Sequence, residues 1–205
     1  MVVSRSFSVG DAATTARIYR APASRDRTLV LAHGAGAGQT HAFMVAFAEA
    51  LAARGIDVMT FDFLYVAAGR RAPDRNDKLE ACWRAALALA TAEWSGRVPF
   101  IGGKSMGGRI ASQLAAAGDR AAGLVCLGYP LHPPKQPEKL RIAHLAKLTL
   151  PALILQGKRD PFGTPDELRE YFPPSVEIVA VAGAHSFDDK AWPEAHARAA
   201  DFILR

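Results

Sequence analysis

Cysteine is nearly missing from this chain: Cys82 and Cys126 are the only two in 205 residues. One falls in a predicted helix and the other in a predicted strand. They read as buried thiols in a reducing cytoplasm rather than as a disulfide. Long apolar runs are missing as well. No stretch approaches the ~20 residues that span a bilayer, and the start, Met1 to Ser8, has no secretory apolar region. A cytoplasmic location without membrane contact is therefore expected. Metal-ligand spacing is absent too: the six histidines are scattered, with no H-E-x-x-H or C-x-x-C pair. His132 and His144 read as surface or loop residues, and no metal is expected. The net charge is +5, but the basic residues are dispersed, with Arg70-Arg71 the one arginine pair. No Lys/Arg stripe interleaved with aromatics appears, which argues against nucleic acid as a partner.

Two phosphate-binding patterns fail at a single position each. Gly103-Lys104-Ser105 looks like the end of a P-loop, but that motif needs glycine where Val98 stands. Gly34-x-Gly36-x-Gly38 looks like a dinucleotide fingerprint, but its third glycine should fall at 39, which is Gln39. No cofactor is expected.

Half the residues are apolar and 22% are charged, the composition of a folded chain with a sizeable core. The length fits one domain over 1–205. Two short extended segments, Arg5–Val9 and Thr15–Tyr19, read as an antiparallel edge pair. From Thr28 onward apolar runs alternate with helical patterns. Thr28–Ala32, Ile56–Phe61, Val98–Ile101, Gly123–Leu127, Ala152–Gln156 and Val176–Val181 read as buried strands. Helices are predicted from Thr40 to Arg54, from Asn76 to about Trp94, from Met106 to Ala117, after Thr164, and from Trp192 to Leu204. A short one is expected over Lys139–Lys147. The helix after Thr164 has the clearest start, with a capping box and proline at its first position. The pattern predicts an α/β fold: a mostly parallel sheet of about seven strands with an N-terminal antiparallel edge and helices on both faces. The connections are too short for a lid domain.

Functional groups in such sheets gather on loops at the carboxyl ends of strands. Gly103-Lys-Ser105-Met-Gly107 lies between a strand and a helix, the context of a nucleophile elbow, with glycines relieving the crowding of a sharp turn. Asp160 follows the strand ending at Gln156, and His185 follows the strand ending at Val181. The order Ser, Asp, His on one rim matches each type to a task. Serine is a weak nucleophile until a base takes its proton, His185 is that base, and Asp160 fixes the histidine's tautomer. Asp62, also at a strand end, is expected to brace its loop. His33-Gly34-Ala35-Gly36 follows a third strand, and small residues there let backbone approach a substrate carbonyl. The N–H groups of Ala35 and Met106 are the expected oxyanion donors, with His33 ordering the loop. Tyr65, Tyr129, Phe162 and Phe187 lie on rim loops and are candidates to bind substrate.

These segments, HGAGAG, FDFLY with GRRAPDR, GGKSMGGR, GKRDPFG and GAHSF, resemble a serine α/β-hydrolase with a compact, lidless core. More narrowly, they resemble the small branch that contains testis-expressed protein thirty and the third subunit of the nonspecific-lethal acetyltransferase complex. That branch is itself similar to dienelactone hydrolases, which carry cysteine where this chain has Ser105. The resemblance implies Ser105, Asp160 and His185 as a catalytic triad. The expected activity is hydrolysis of a small ester, thioester or lactone through an acyl-enzyme, with a small-molecule acyl substrate as the partner. The rival expectation is a non-catalytic interaction or scaffold module on the same fold. The oligomeric state and the role of Lys104 are left open.

Overall fold

The computed structural model describes residues 2–205. Eight strands form one sheet: β1 (Val2–Val9), β2 (Ala12–Tyr19), β3 (Arg27–Ala32), β4 (Ile56–Phe61), β5 (Phe100–Lys104), β6 (Leu124–Leu127), β7 (Ala152–Gly157) and β8 (Val176–Val181). Their spatial order is β1-β2-β4-β3-β5-β6-β7-β8. β2 runs antiparallel to both its neighbours, and every other pairing is parallel. The expected α/β architecture with an antiparallel N-terminal edge is present, and each of the eight segments read as extended carries a strand.

The central strands carry the alternation that a sheet covered on both faces requires. In β3, Val30 and Ala32 join one core, while Leu29 and Leu31 join the other. β7 repeats the division, with Ala152 and Ile154 on one face and Leu153 and Leu155 on the opposite face. The first face is covered by α3 (Asn76–Glu93), α4 (Met106–Ala117) and α5 (Pro165–Tyr171), through Trp83, Ile110 and Leu168 among others. The second is covered by α1 (Ala42–Ala52) and α6 (Trp192–Leu204), through Phe47, Leu51, Ala199 and Ile203. Cys82 and Cys126 are both buried and free.

Most predicted helix boundaries hold to within a residue or two. α4 ends at Gly118, whose φ of 89° supplies the left-handed cap. The Thr164 capping box and Pro165 open α5 as expected. Three local expectations change. α1 is capped by His41 rather than Thr40, because His41 Nδ1 accepts the Phe43 N–H at 3.2 Å. A single turn, α2 (Leu64–Ala67), forms in the segment expected to be a loop. The helix expected over Lys139–Lys147 is reduced to a 3₁₀ turn at Leu145–Lys147. The backbone of Arg141 is already committed there, its N–H to Leu131 O and its carbonyl to the Tyr129 hydroxyl.

The order of the sheet decides where a site forms. From β3 the chain steps outward to β4, then returns to place β5 on the other side of β3. The loops leaving β3 and β5 therefore diverge and open a crevice at the carboxyl end of the sheet. The β3 loop carries Gly34 and Ala35, and the β5 loop carries Ser105.

Candidate active site

Ser105 sits at a strained strand-to-helix turn. Its φ is 50° and its ψ is −115°, a region that costs a side-chain-bearing residue roughly 1–3 kcal/mol. Packing on either side enforces it. A Cβ on Gly103 would lie 2.5 Å from Ala32 O, and one on Gly107 would lie 2.4 Å from the same atom. α4 thus leaves the elbow in direct backbone contact with β3, and only glycine fits at the two crossing points. The Ser105 N–H donates to Leu127 O at 3.0 Å, which ties the turn to β6.

Asp160 stands at the end of β7 and its side chain is fully buried. A buried carboxylate needs donors, and it has three. Oδ1 accepts the Phe162 N–H at 2.9 Å, and Oδ2 accepts from Gln156 Nε2 at 3.0 Å and from His185 Nδ1 at 2.7 Å. Gln156 is held by its own partners, accepting the Tyr129 N–H at 2.7 Å and donating to Gly163 O at 2.6 Å. Sequence reasoning missed Gln156. The available signal was a polar residue closing an otherwise apolar strand, Ala152-Leu-Ile-Leu-Gln156.

His185 reaches Asp160 because the loop after β8 presses against β7. A Cβ on Gly157 would lie 2.1 Å from Ala184 O. The loop turns through Gly183 at φ 109° and Phe187 at φ 62°. The Phe162 ring lies over the imidazole at 4.4 Å between centroids. Because Nδ1 faces the carboxylate, it carries the proton, and Nε2 is left as the acceptor.

Lys104 has a definite place. It is buried, and its Nζ donates to the His185 carbonyl at 2.6 Å while lying 5.7 Å from the Phe43 ring centre. Burial pushes its ammonium down to about 8, with Asp160 pulling in the opposite direction.

The loop after β3 is braced as expected. His33 is fully buried, accepts the Phe63 N–H at Nε2 (3.1 Å), and therefore donates from Nδ1 to Gly34 O (2.8 Å). Burial holds its pKa below the usual histidine range. Asp62 ties down the same loop by accepting from the Gln39 N–H at 2.7 Å and from Gln39 Nε2 at 3.0 Å. A Cβ on Gly34 would touch Ser105 Cβ at 3.5 Å, so this backbone passes beside the serine.

A cavity of about 700 Å³ opens over these groups. Its wall includes Ala35, Ser105, Met106, Phe162 and His185. Ser105 Oγ forms no hydrogen bond to His185 in this structure, although both side chains line the same space. Such bonds are often long before substrate closes the site. Of the four aromatic candidates, only Phe162 lines the cavity. Tyr65 is buried against His33 and Phe63, Tyr129 packs on Phe172, and Phe187 packs on Phe43. Each was placed on the rim by its loop position, yet its ring turns into a core. Arg70 pairs with Asp74 at 2.7 Å, while Arg71 is exposed. Among the described residues, no group of three or more acidic, histidine or cysteine side chains is arranged to hold a metal, and no helix is long and apolar enough to cross a membrane.

The sheet order, the elbow and the uncapped crevice define an α/β-hydrolase architecture without a lid. Residues 25–199 match the family described as "Alpha/beta hydrolase domain", and the chain belongs to that family. Its fold is similar to that of a lidless α/β serine hydrolase from Xanthomonas campestris, with a TM-score of 0.81 and 18% identity over 98% of this chain and 93% of that one. It is similar to a dienelactone hydrolase from Anabaena variabilis, with a TM-score of 0.81 and 19% identity over 100% and 97% of the two chains. An α/β serine hydrolase homologue from Coxiella burnetii aligns with a TM-score of 0.77 and 18% identity over 99% and 96%.

Proposed function

We propose that this protein hydrolyses a small ester, thioester or lactone by a serine mechanism. The observation that carries the reading is the 2.7 Å bond between His185 Nδ1 and the buried Asp160, which leaves Nε2 as a base in the cavity that Ser105 lines. His185 removes the Ser105 proton as Oγ attacks the carbonyl. The charge that develops on the carbonyl oxygen is met by the N–H groups of Ala35 and Met106. His185 then donates its proton to the leaving alcohol or thiol. Water, deprotonated by the same nitrogen, releases the acid and restores Ser105.

Several features support this order of events. The strained backbone at Ser105 is the kind of cost a fold retains where geometry matters to chemistry. The cavity lies at the sheet's switch point, and without a lid to cover a long apolar chain the site suits short acyl groups better than long lipids. The narrower resemblance to testis-expressed protein thirty and the nonspecific-lethal complex subunit rests mainly on the lysine of GGKSMGGR and on GRRAPDR. A scaffold module would present an apolar docking face. The large apolar side chains exposed among the described residues are Val2 and Tyr171, which offer no such face.

The test is turnover of p-nitrophenyl acetate and butyrate. The wild type should hydrolyse them, and Ser105→Ala should fall to the solution background. A folded wild type with no turnover above that background contradicts the reading.

A further inference from the structure

The cavity wall carries two arginines that the reaction above does not use. Arg109 lies one turn of α4 beyond Ser105, its N–H bonded to Ser105 O at 3.0 Å. Arg141 reaches the same space from the loop after β6. Both are half-buried. Their side-chain bonds go to neutral acceptors: Arg109 to Asn76 Oδ1 at 3.3 Å and Arg141 to Pro130 O at 3.3 Å. Among the described residues, neither forms an ion pair with a carboxylate. The one acidic side chain in the cavity wall, Asp74, is engaged by Arg70 from outside it.

This charge has no ion-pair partner where burial makes it costly. Arg109 is held below the usual arginine range by burial and by Arg141, while Tyr129 and Glu80 act in the opposite direction. The same field reaches His144, which burial and Arg109 push down to about 4. His144 is therefore neutral at pH 7 and adds nothing to the cluster. Folding gains little from two like charges sharing a wall. A ligand with an anionic oxygen group gains from both, because guanidinium offers parallel N–H donors to carboxylate or phosphate.

We propose that Arg109 and Arg141 form a subsite for an oxyanion on the substrate, so that the ester or thioester cleaved at Ser105 also carries a carboxylate or a phosphate. The substrate class rests on the hydrolase reading; the anion subsite does not. Ser105 and Arg109 are four residues apart, about 6 Å of backbone rise along α4, so the half-ester of a short dicarboxylic acid is a suitable probe.

Two measurements test this and keep the two readings apart. In the first, thermal melting of Ser105→Ala is followed with adipate and, separately, with inorganic phosphate. At ten times Kd the bound anion should raise Tm by roughly 3–6 °C, and Arg109→Gln or Arg141→Gln in the same background should abolish the rise. Adipate acting alone assigns a carboxylate, and phosphate acting alone assigns a phosphate ester. No rise with either anion, or a rise that survives both substitutions, overturns the subsite. In the second, wild-type kcat/KM is compared for monomethyl and dimethyl adipate. The anionic ester should be preferred ~10-fold or more, and each arginine variant should collapse that ratio towards one. An enzyme that cleaves both esters equally contradicts the substrate class. Anion-dependent stabilisation without cleavage of any ester removes the hydrolase reading and leaves the subsite standing.

Discussion

Replacing Gly107 with alanine should damage both the elbow and the fold, by an amount that follows from two contacts. The new Cβ would lie 2.4 Å from Ala32 O and 2.6 Å from His33 O. Both are backbone atoms of the strand end that feeds the Gly34–Ala35 loop, so no side chain can swing aside. Reaching ordinary contact requires α4 and β3 to separate by about 1 Å, and overpacking of this kind costs ~1–3 kcal/mol or more. Gly107 lies in a helix, where alanine recovers about 1 kcal/mol of propensity. A net loss of up to roughly 2 kcal/mol should lower Tm by as much as about 4–8 °C for a chain of this size. The activity loss should be larger, near 100-fold, because the displaced strand end moves the Ala35 N–H relative to Ser105. Gly118→Ala is the control. That site has φ 89° and nothing within 4 Å of the added carbon, so it pays only backbone strain of about 1 kcal/mol and should keep full activity. Melting curves and ester turnover on the two variants settle the matter. A Gly107→Ala protein with wild-type Tm and wild-type turnover refutes the packing argument.

Other substitutions probe the neighbouring contacts. Asp160→Asn leaves the shape intact but removes the charge that favours the Nδ1–H tautomer, so kcat should fall by as much as ~10⁴ while Tm changes far less. His33→Phe strands the Phe63 N–H and the Gly34 carbonyl in a buried site, at a cost of ~2–4 kcal/mol in denaturant unfolding. Lys104 gives a pH signature. Its ammonium sits near 8 in the folded protein and near 10.5 in the unfolded chain. Between those values the unfolded state binds more protons, so the lysine's contribution makes stability rise with pH. The full change is about 3 kcal/mol. Unfolding free energies of the wild type and Lys104→Met, followed from pH 7 to 10, should differ by that slope, and parallel curves contradict the assignment.

The sequence was most informative where a local pattern determines geometry without distant help. The elbow, the Thr164 capping box and the Gly118 stop each depend on a few adjacent residues, and each forms as read. Strand-end placement located Ser105, Asp160 and His185 because a parallel sheet gathers its loops on one side. What failed depends on distant parts of the chain. Whether Tyr65 or Tyr129 faces a cavity or a core is decided by which helix packs beside it, and no spacing rule carries that information. Lys104 could not be placed, because its partner carbonyl is 81 residues away in sequence. Arg109 and Arg141 lie on different elements and meet only when α4 packs beside the loop after β6.

The central claim is that Ser105 is a nucleophile activated by His185. Its most direct test is reaction with a fluorophosphonate, followed by mass spectrometry of the peptide that carries the adduct. The account predicts a single adduct on Ser105 that forms rapidly in the wild type, is lost in His185→Ala, and slows strongly in Asp160→Asn. A folded wild-type protein that stays unlabelled, or one whose Ser105 labels equally well without His185, would contradict it.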